Sequence, residues 1–261
     1  MTNNPARYFT ELGPACIDFL FPPECCYCGL AIPAESNSDR PALQSSSLPQ
    51  LCKPCIQKLP TPADNPCLKC GATQGPYIPS EQGCVHCKGK KFAFASAVSL
   101  SVYENDLRKM SLFCKQNSGQ RLTWYLTQCL WQCEQSQLES WQCDFVVHVP
   151  MHWVNRLTRH VHPAESIASC LAQQLKIPHL YKTLKQSRRV SKQSSLAPTK
   201  RRKNVQDLFH ASRIHKLKDK TVLLVDDILT TGTTANECAK ALKKAGAKQV
   251  YVAVLSRGTG Q

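Results

Sequence analysis

The chain lacks any apolar run approaching the roughly 20 residues that a helix needs to cross a bilayer. Its early hydrophobic stretch, "ACIDFLFPP", is too short to span and carries Asp18. That stretch also has neither the basic start nor the small-residue cleavage site of a secretory signal, so the expected compartment is the cytoplasm. Acidic residues are scarce: 18 Asp and Glu stand against 33 Lys and Arg, a formal charge of +15. A predominantly acidic surface is thereby excluded, and a polyanionic partner or a phosphorylated small molecule is expected. Disorder throughout is excluded as well, because 42% hydrophobic residues over 261 positions can bury a core.

Cysteine, by contrast, is abundant. Sixteen cysteines in a cytoplasmic chain point to metal rather than disulfides, since the glutathione pool keeps thiols reduced there. Eight of them form four C-x-x-C pairs before residue 90: Cys25/Cys28, Cys52/Cys55, Cys67/Cys70 and Cys84/Cys87. Two thiolates at this spacing grip one tetrahedral ion from a tight turn, and two such turns complete a closed site. Cys28 and Cys70 are each followed by glycine, which eases the turn. The gaps of 23 residues after Cys28 and 13 after Cys70 are near those of four-cysteine zinc ribbons. Two structural Zn2+ ions are therefore expected, folding a domain with too little core of its own. Sequential pairing is simplest, and an interleaved cross-brace stays open. The other eight cysteines (Cys16, Cys26, Cys114, Cys129, Cys133, Cys143, Cys170, Cys238) lack the spacing and read as small core residues.

The zinc-binding domain is expected over residues 1–90, with a flexible Ser/Pro-rich insertion over 32–50. From 91 to 261 strands alternate with helices. "FAFASAVSLSVY" and "DFVVHVP" read as strands, and "LRKMSLFCKQ", "RLTWYLTQCLWQC" and "PAESIASCLAQQL" as helices, the last with Pro163 in its first turn. "TVLLVDD" is a continuous apolar run of the kind buried on both faces of a parallel sheet, ending at two aspartates. Ala235, Cys238, Ala239 and Leu242 then give one apolar helix face, Gly246 suits its end, and "QVYVAVLS" returns as a strand. Strand, helix, strand at this spacing makes a crossover in a parallel sheet, so the fold class is α/β.

The junction "VLLVDDILTTGTT" carries the chemistry. Ligands of open parallel sheets bind beyond the carboxyl ends of strands, where loops lead into helices. Asp226 and Asp227 are followed there by Thr230, Thr231, Gly232, Thr233 and Thr234. Free amides at a helix start, with threonine hydroxyls and a glycine, make a cradle for a phosphate dianion. The lysine of a nucleoside-triphosphate loop is missing. A sugar phosphate reconciles acids with an anion cradle: its phosphate takes the Thr-Gly turn, and its diol donates to the carboxylates. Those carboxylates also lie where they can stabilise positive charge developing on the ring.

"VLLVDDILTTGTT" resembles the phosphoribosyl-pyrophosphate motif of type I phosphoribosyltransferases, and nearly the whole chain resembles the ComF family of competence proteins, GntX-type proteins included. The resemblance extends to Tyr103, Leu107 and Lys115 in "VSLSVYENDLRKMSLFCK", to "DFVVHVPMH", and to Gln193, Leu196, Arg201, Asn204 and Phe209 in "QSSLAPTKRRKNVQDLF". It implies a double zinc ribbon-like module before a type I phosphoribosyltransferase-like domain, with Asp226 and Asp227 as catalytic residues and Thr230–Thr234 as the phosphate loop. It further implies cytoplasmic DNA uptake in natural transformation, with single-stranded DNA, a helicase and membrane-channel proteins as partners. An active enzyme would transfer phosphoribosyl from the Mg2+-bound pyrophosphate donor to an acceptor that no residue here identifies. Where the family has arginine followed by Gly-Phe-Asn-Gln, this chain keeps Arg159 but continues His160, Val161, His162, Pro163. Arg159, with His152 and Arg156, is placed to hold the pyrophosphate.

Three readings remain. The histidines His160, His162, His210 and His215 are expected in surface or capping roles. Residues 182–220 hold thirteen Lys and Arg against two Asp. Such a run is a solvated face or a track for a phosphate backbone, for which Lys115, Arg201 and Arg202 are the expected contacts. Trp124, Tyr125 and Trp131 lie at helical spacing and are expected in the core.

Overall fold

The computed structural model describes residues 23–32, 50–59, 61–62, 65–74, 84–151, 161–187, 208–212 and 217–258. Arg159, Arg201, Arg202, His152, Arg156, His160 and most of the 32–50 insertion lie outside these residues. The chain forms two compact units, Met1–Lys58 and Leu59–Gln261.

In the first unit the turn carrying Cys25 and Cys28 is closed by two backbone bonds, from Cys25 N–H to the Leu30 carbonyl (2.8 Å) and from Gly29 N–H to the Cys25 carbonyl (2.9 Å). Gly29 takes φ +75°, a conformation that glycine adopts without a Cβ penalty. The short helix α1 (Lys53–Ile56) has Cys52 at its N-cap and supplies Cys55.

The second unit contains a four-stranded parallel sheet built from β1 (Ala97–Val102), β2 (Phe145–His148), β5 (Thr221–Leu229) and β6 (Gln249–Arg257), in the order β1-β6-β5-β2. Helices α2 (Asn105–Phe113) and α3 (Gln120–Ser140) join β1 to β2, α4 (Pro163–Leu175) follows β2, and α5 (Thr233–Lys244) joins β5 to β6. The short strands β3 (Leu184–Gln186) and β4 (Phe209–Ala211) pair antiparallel as a separate ribbon.

The strands form where the sequence is apolar enough to be covered on both sides. Alternate residues Val222 and Leu224 of β5 and Val250, Val252 and Val254 of β6 join one core with Ala235, Cys238, Ala239 and Leu242 of α5 and with Leu184 and Phe209 of the ribbon. The intervening Leu223, Val225 and Ala253 are equally buried, and α3 and α4 pack on that side of the sheet. Each fully buried Val or Leu side chain among these contributes about 1.5–3 kcal/mol. α4 starts with Pro163 in its first turn, and its C-cap Lys176 takes φ +55°. α5 ends before Gly246 at φ +106°, where a Cβ would meet Lys218 Cα at 3.1 Å.

One boundary differs from the sequence reading. β5 does not end at the aspartates but continues in register with β6 through Ile228↔Ser256 and Leu229↔Arg257. The cause is the length of β6, whose last residue, Arg257, holds the end of β5 with its side chain: Nη1 donates to the Leu229 carbonyl at 2.8 Å and also to that of Thr230.

Candidate functional site

Asp226 and Asp227 project from the last turns of β5 before the loop at residues 230–232. Both are half-buried. The Asp227 amide donates to Asp226 Oδ1 at 2.9 Å, which fixes the first carboxylate against the backbone of the second. Lys115 reaches this pair. It follows α2, and its Nζ lies 2.7 Å from Asp227 Oδ2.

Electrostatics separate the two acids. Burial pushes the Asp226 carboxyl well above its ordinary value, and the neighbouring Asp227 charge pushes it further. Burial acts in the same sense on Asp227, but the Lys115 ammonium and its hydrogen bond outweigh it, so this carboxyl lies below the ordinary value. The site therefore offers one firmly ionised carboxylate beside one that holds a proton more readily.

The loop that follows turns at Gly232, which is the N-cap of α5 at φ +78°. An added Cβ there would come within 3.0 Å of the Phe92 ring. Thr231 Oγ1 bonds Thr233 Oγ1 at 2.9 Å, and the first amides of α5 have no intrahelical acceptor. A cavity of about 370 Å3 beside the loop is lined by Thr231, Thr233 and Asn236 together with Lys90, Lys91 and Lys240. Glu237 also lines it and pairs with Lys240 at 2.6 Å, so amides, hydroxyls and the ammonium groups of Lys90 and Lys91 make the setting for an anion there.

The cysteines gather into two sets, Cys25/Cys28/Cys52/Cys55 and Cys67/Cys70/Cys84/Cys87, each with its sulfurs within 4.8 Å of one another. The pairing is thus sequential, the simpler of the two arrangements left open above. Individual separations are 3.6 Å for Cys28–Cys52, 3.7 Å for Cys67–Cys87, 3.4 Å for Cys70–Cys84 and 3.8 Å for Cys84–Cys87. Four thiolates placed tetrahedrally around zinc at about 2.3 Å stand about 3.8 Å apart, close to the separations found, so both sets suit the ion. Burial pushes the Cys70 thiol well up against the pull of the Arg257 charge, and a bound divalent cation is what would hold it as a thiolate.

The second cysteine set is tied to the loop. Phe92 packs on that set and on Gly232. The Ala93 amide donates to Asn236 Oδ1 in α5 at 2.7 Å, and Ser99 Oγ in β1 donates to the Gly71 carbonyl at 3.0 Å. Arg257, only 4% exposed, donates through Nε to the Cys70 carbonyl at 2.8 Å while Nη1 holds the Leu229 carbonyl. Nothing in the sequence around Arg257 marks it, because its role depends on two segments brought together only by the sheet.

A further group was missed. His148, inside the apolar "FVVH" strand, meets His162, Glu165 and His179 near the carboxyl end of β2. His162 does occupy the N-cap position of α4, yet it makes no side-chain capping bond. Burial pushes the His179 imidazole down to about 4, so it is neutral at physiological pH. Tyr125 and Trp131 are buried as expected, and Trp124 is partly so. Among the described residues no helix is long and apolar enough to cross a membrane.

Residues 163–260 match the family described as phosphoribosyl transferase domain. The β5–α5–β6 unit with its carboxylate–threonine junction lies within this match; the fold is of the parallel-sheet phosphoribosyltransferase type, accompanied by two four-cysteine clusters suited to zinc. The chain is also a homologue of Competence protein F from Haemophilus influenzae (strain ATCC 51907 / DSM 11121 / KW20 / Rd), as the ComF resemblance implied. The two are 30% identical over 115 residues, which cover 44% of this chain and 50% of that protein. Amidophosphoribosyltransferase of Escherichia coli (strain K12) is 45% identical over 53 residues, 20% of this chain and 10% of the enzyme. The chain therefore spans half or less of the length of these curated relatives. Among solved structures, the glutamine phosphoribosylpyrophosphate amidotransferase from B. subtilis complexed with ADP and GMP is 27% identical. That likeness covers 42% of this chain and 22% of the other, with a TM-score of 0.30.

Proposed function

We propose that this chain is a ComF-family phosphoribosyltransferase-like protein that binds phosphoribosyl pyrophosphate or a related sugar phosphate at the β5–α5 junction. The observation that carries the reading is the continuity of Asp226, Asp227 and the Gly232 turn, with Lys115 keeping Asp227 ionised. In this reading Asp227 accepts from the ribose diol, Asp226 completes the contact, and the phosphate accepts from the amides and hydroxyls of Thr230, Thr231, Thr233 and Thr234. Arg159 is assigned to the pyrophosphate side. A crystal soaked in ribose 5-phosphate tests the placement: density with the anion on the Thr231–Thr234 amides supports it, and an unchanged bend rejects it.

The ligand site is proposed to serve DNA uptake in natural transformation, in the cytoplasm, with single-stranded DNA following the basic run that includes Arg201 and Arg202. Support comes from the charge of that run and from the name of the competence relative. A helicase and membrane-channel proteins are the partners in this setting. Charge reversal at Arg201 and Arg202 should weaken single-stranded DNA binding and flatten its salt dependence; equal affinity in the variant counts against it.

A second reading is favoured by the unequal carboxylates. In an active transferase the C1–oxygen bond of the donor breaks, pyrophosphate departs with the electron pair, and C1 bonds the acceptor. Asp227, ionised beside Asp226, would stabilise the positive charge that develops on the ring. The oxygen donors of both aspartates suit Mg2+, which would neutralise charge on the pyrophosphate. Asp227→Asn should then abolish Mg2+-dependent pyrophosphate release. Wild-type protein that releases none with any nucleobase rules this reading out.

A further inference from the structure

The carboxyl end of β2 carries a cluster that the phosphoribosyl reading does not use. His148 is the last residue of β2, His162 occupies the N-cap position of α4, and Glu165 lies in the first turn of that helix. One ligand atom from each falls within 4.8 Å of the others. His148 is 6% exposed, and the side chains of His162 and Glu165 are 15% and 27% exposed. The helix dipole accounts for an acid at Glu165, and an ion pair accounts for His162 Nδ1 at 3.6 Å from its Oε2. Neither accounts for a second imidazole delivered from another element, its ring 5.2 Å from that of His162.

Behind the cluster a hydrogen-bond relay orients His148. Ser169 gives its only hydroxyl proton to the Glu165 carbonyl at 3.0 Å, so it accepts from His179 Nδ1–H at 3.1 Å. His179 Nε2 then accepts from His148 Nδ1–H at 2.9 Å. This makes Nε2 of His148 the nitrogen with the lone pair. A histidine fixed through one ring nitrogen and basic at the other is the arrangement that metal-binding imidazoles adopt. Tyr181, whose hydroxyl lies 3.2 Å from Ser169 Oγ, packs on His179 with its ring tilted by 35° and closes the relay from the far side.

We propose that His148, His162 and Glu165 form a binding site for a first-row divalent transition-metal ion, separate from both cysteine clusters. Two imidazoles and one carboxylate select zinc, cobalt, nickel or ferrous iron over the all-oxygen preferences of magnesium and calcium. Three protein ligands leave coordination positions open. These adjoin a cavity of about 290 Å3 lined by His148, Met151, His162, Tyr181, Lys182 and Lys185, whose two lysines suit an anionic oxygen ligand such as phosphate.

The test uses Co2+ alone on the full zinc-loaded chain, so its outcome is independent of sugar-phosphate binding. About one further Co2+ should bind per chain, giving weak visible d–d bands without a sulfur-to-cobalt charge-transfer band. His162→Gln and Glu165→Gln should each weaken that binding roughly tenfold or more, while thermal melting of the cobalt-free proteins stays unchanged. Ser169→Ala, which touches only the relay, should cause a smaller loss. Absence of cobalt beyond the zinc equivalents, a spectrum showing thiolate ligation alone, or wild-type affinity in both ligand variants would each overturn the proposal.

Discussion

Replacing Arg257 with methionine keeps much of the side-chain volume and removes the guanidinium that ties the second cysteine cluster to the end of β5. Arg257 is 4% exposed, and its guanidinium has two well-formed bonds of 2.8 Å, to the Cys70 and Leu229 carbonyls, besides contacts with the Thr230 and Gly258 carbonyls. Hydrogen bonds from a charged donor contribute about 1.5–3 kcal/mol each, and acceptors left buried without a donor add desolvation cost. Counting only the two well-formed bonds, the substitution should destabilise the second unit by about 3–6 kcal/mol. Urea unfolding followed by tryptophan fluorescence reads this directly, because Trp141 stacks on Tyr251 of β6 at 4.5 Å between ring centroids. Arg257→Lys should recover only part of the loss, since an ammonium cannot reach carbonyls in two directions as a planar fork does. A loss below about 1 kcal/mol for the methionine variant would refute the argument that Arg257 holds cluster and loop together.

Gly232→Ala should weaken sugar-phosphate binding and cost about 1–2 kcal/mol of stability, because φ is +78° and the new Cβ would press on Phe92 at 3.0 Å; calorimetric binding and melting check both. Lys115→Met should raise the Asp227 pKa, since the Lys115 ammonium and its hydrogen bond are the largest influences opposing burial. In the wild type this lowered pKa contributes stability above the ordinary carboxylate value, lost as pH falls through the folded-state value. The variant should lose the acid-side component of the pH–stability profile, and an identical profile would contradict the ion pair's role. Native mass spectrometry should find about two zinc ions. Chelation should lower sugar-phosphate affinity through Phe92 and Arg257, an effect absent if the cluster and loop are independent.

Much of the fold was legible because its signals are local. "PAESIASCLAQQL" matches α4 residue for residue, and the apolar face at Ala235, Cys238, Ala239 and Leu242 is the buried face of α5. The C-x-x-C turns were legible for the same reason, each being closed by bonds within a few residues. What escaped depends on contacts distant in sequence. Lys115 and Asp227 are separated by 112 positions yet lie 2.7 Å apart, and only the β1-β6-β5 order brings them together. His148 read as an ordinary member of a buried strand, because its partners come from the start of α4 and from the segment after it. The end of β5 was drawn two residues short, because the aspartates look like a terminus until the pairing with β6 is known.

The central claim is that the β5–α5 junction grips a phosphoribosyl ligand through Asp227 and the Thr-Gly loop. A calorimetric titration with phosphoribosyl pyrophosphate and Mg2+ tests it most directly. The wild-type protein should show saturable binding at one site, and Asp227→Asn should bind roughly tenfold more weakly or worse, as expected for losing a charged hydrogen-bond acceptor. No binding heat from the folded, zinc-loaded wild type, or equal affinity in the variant, would contradict the account.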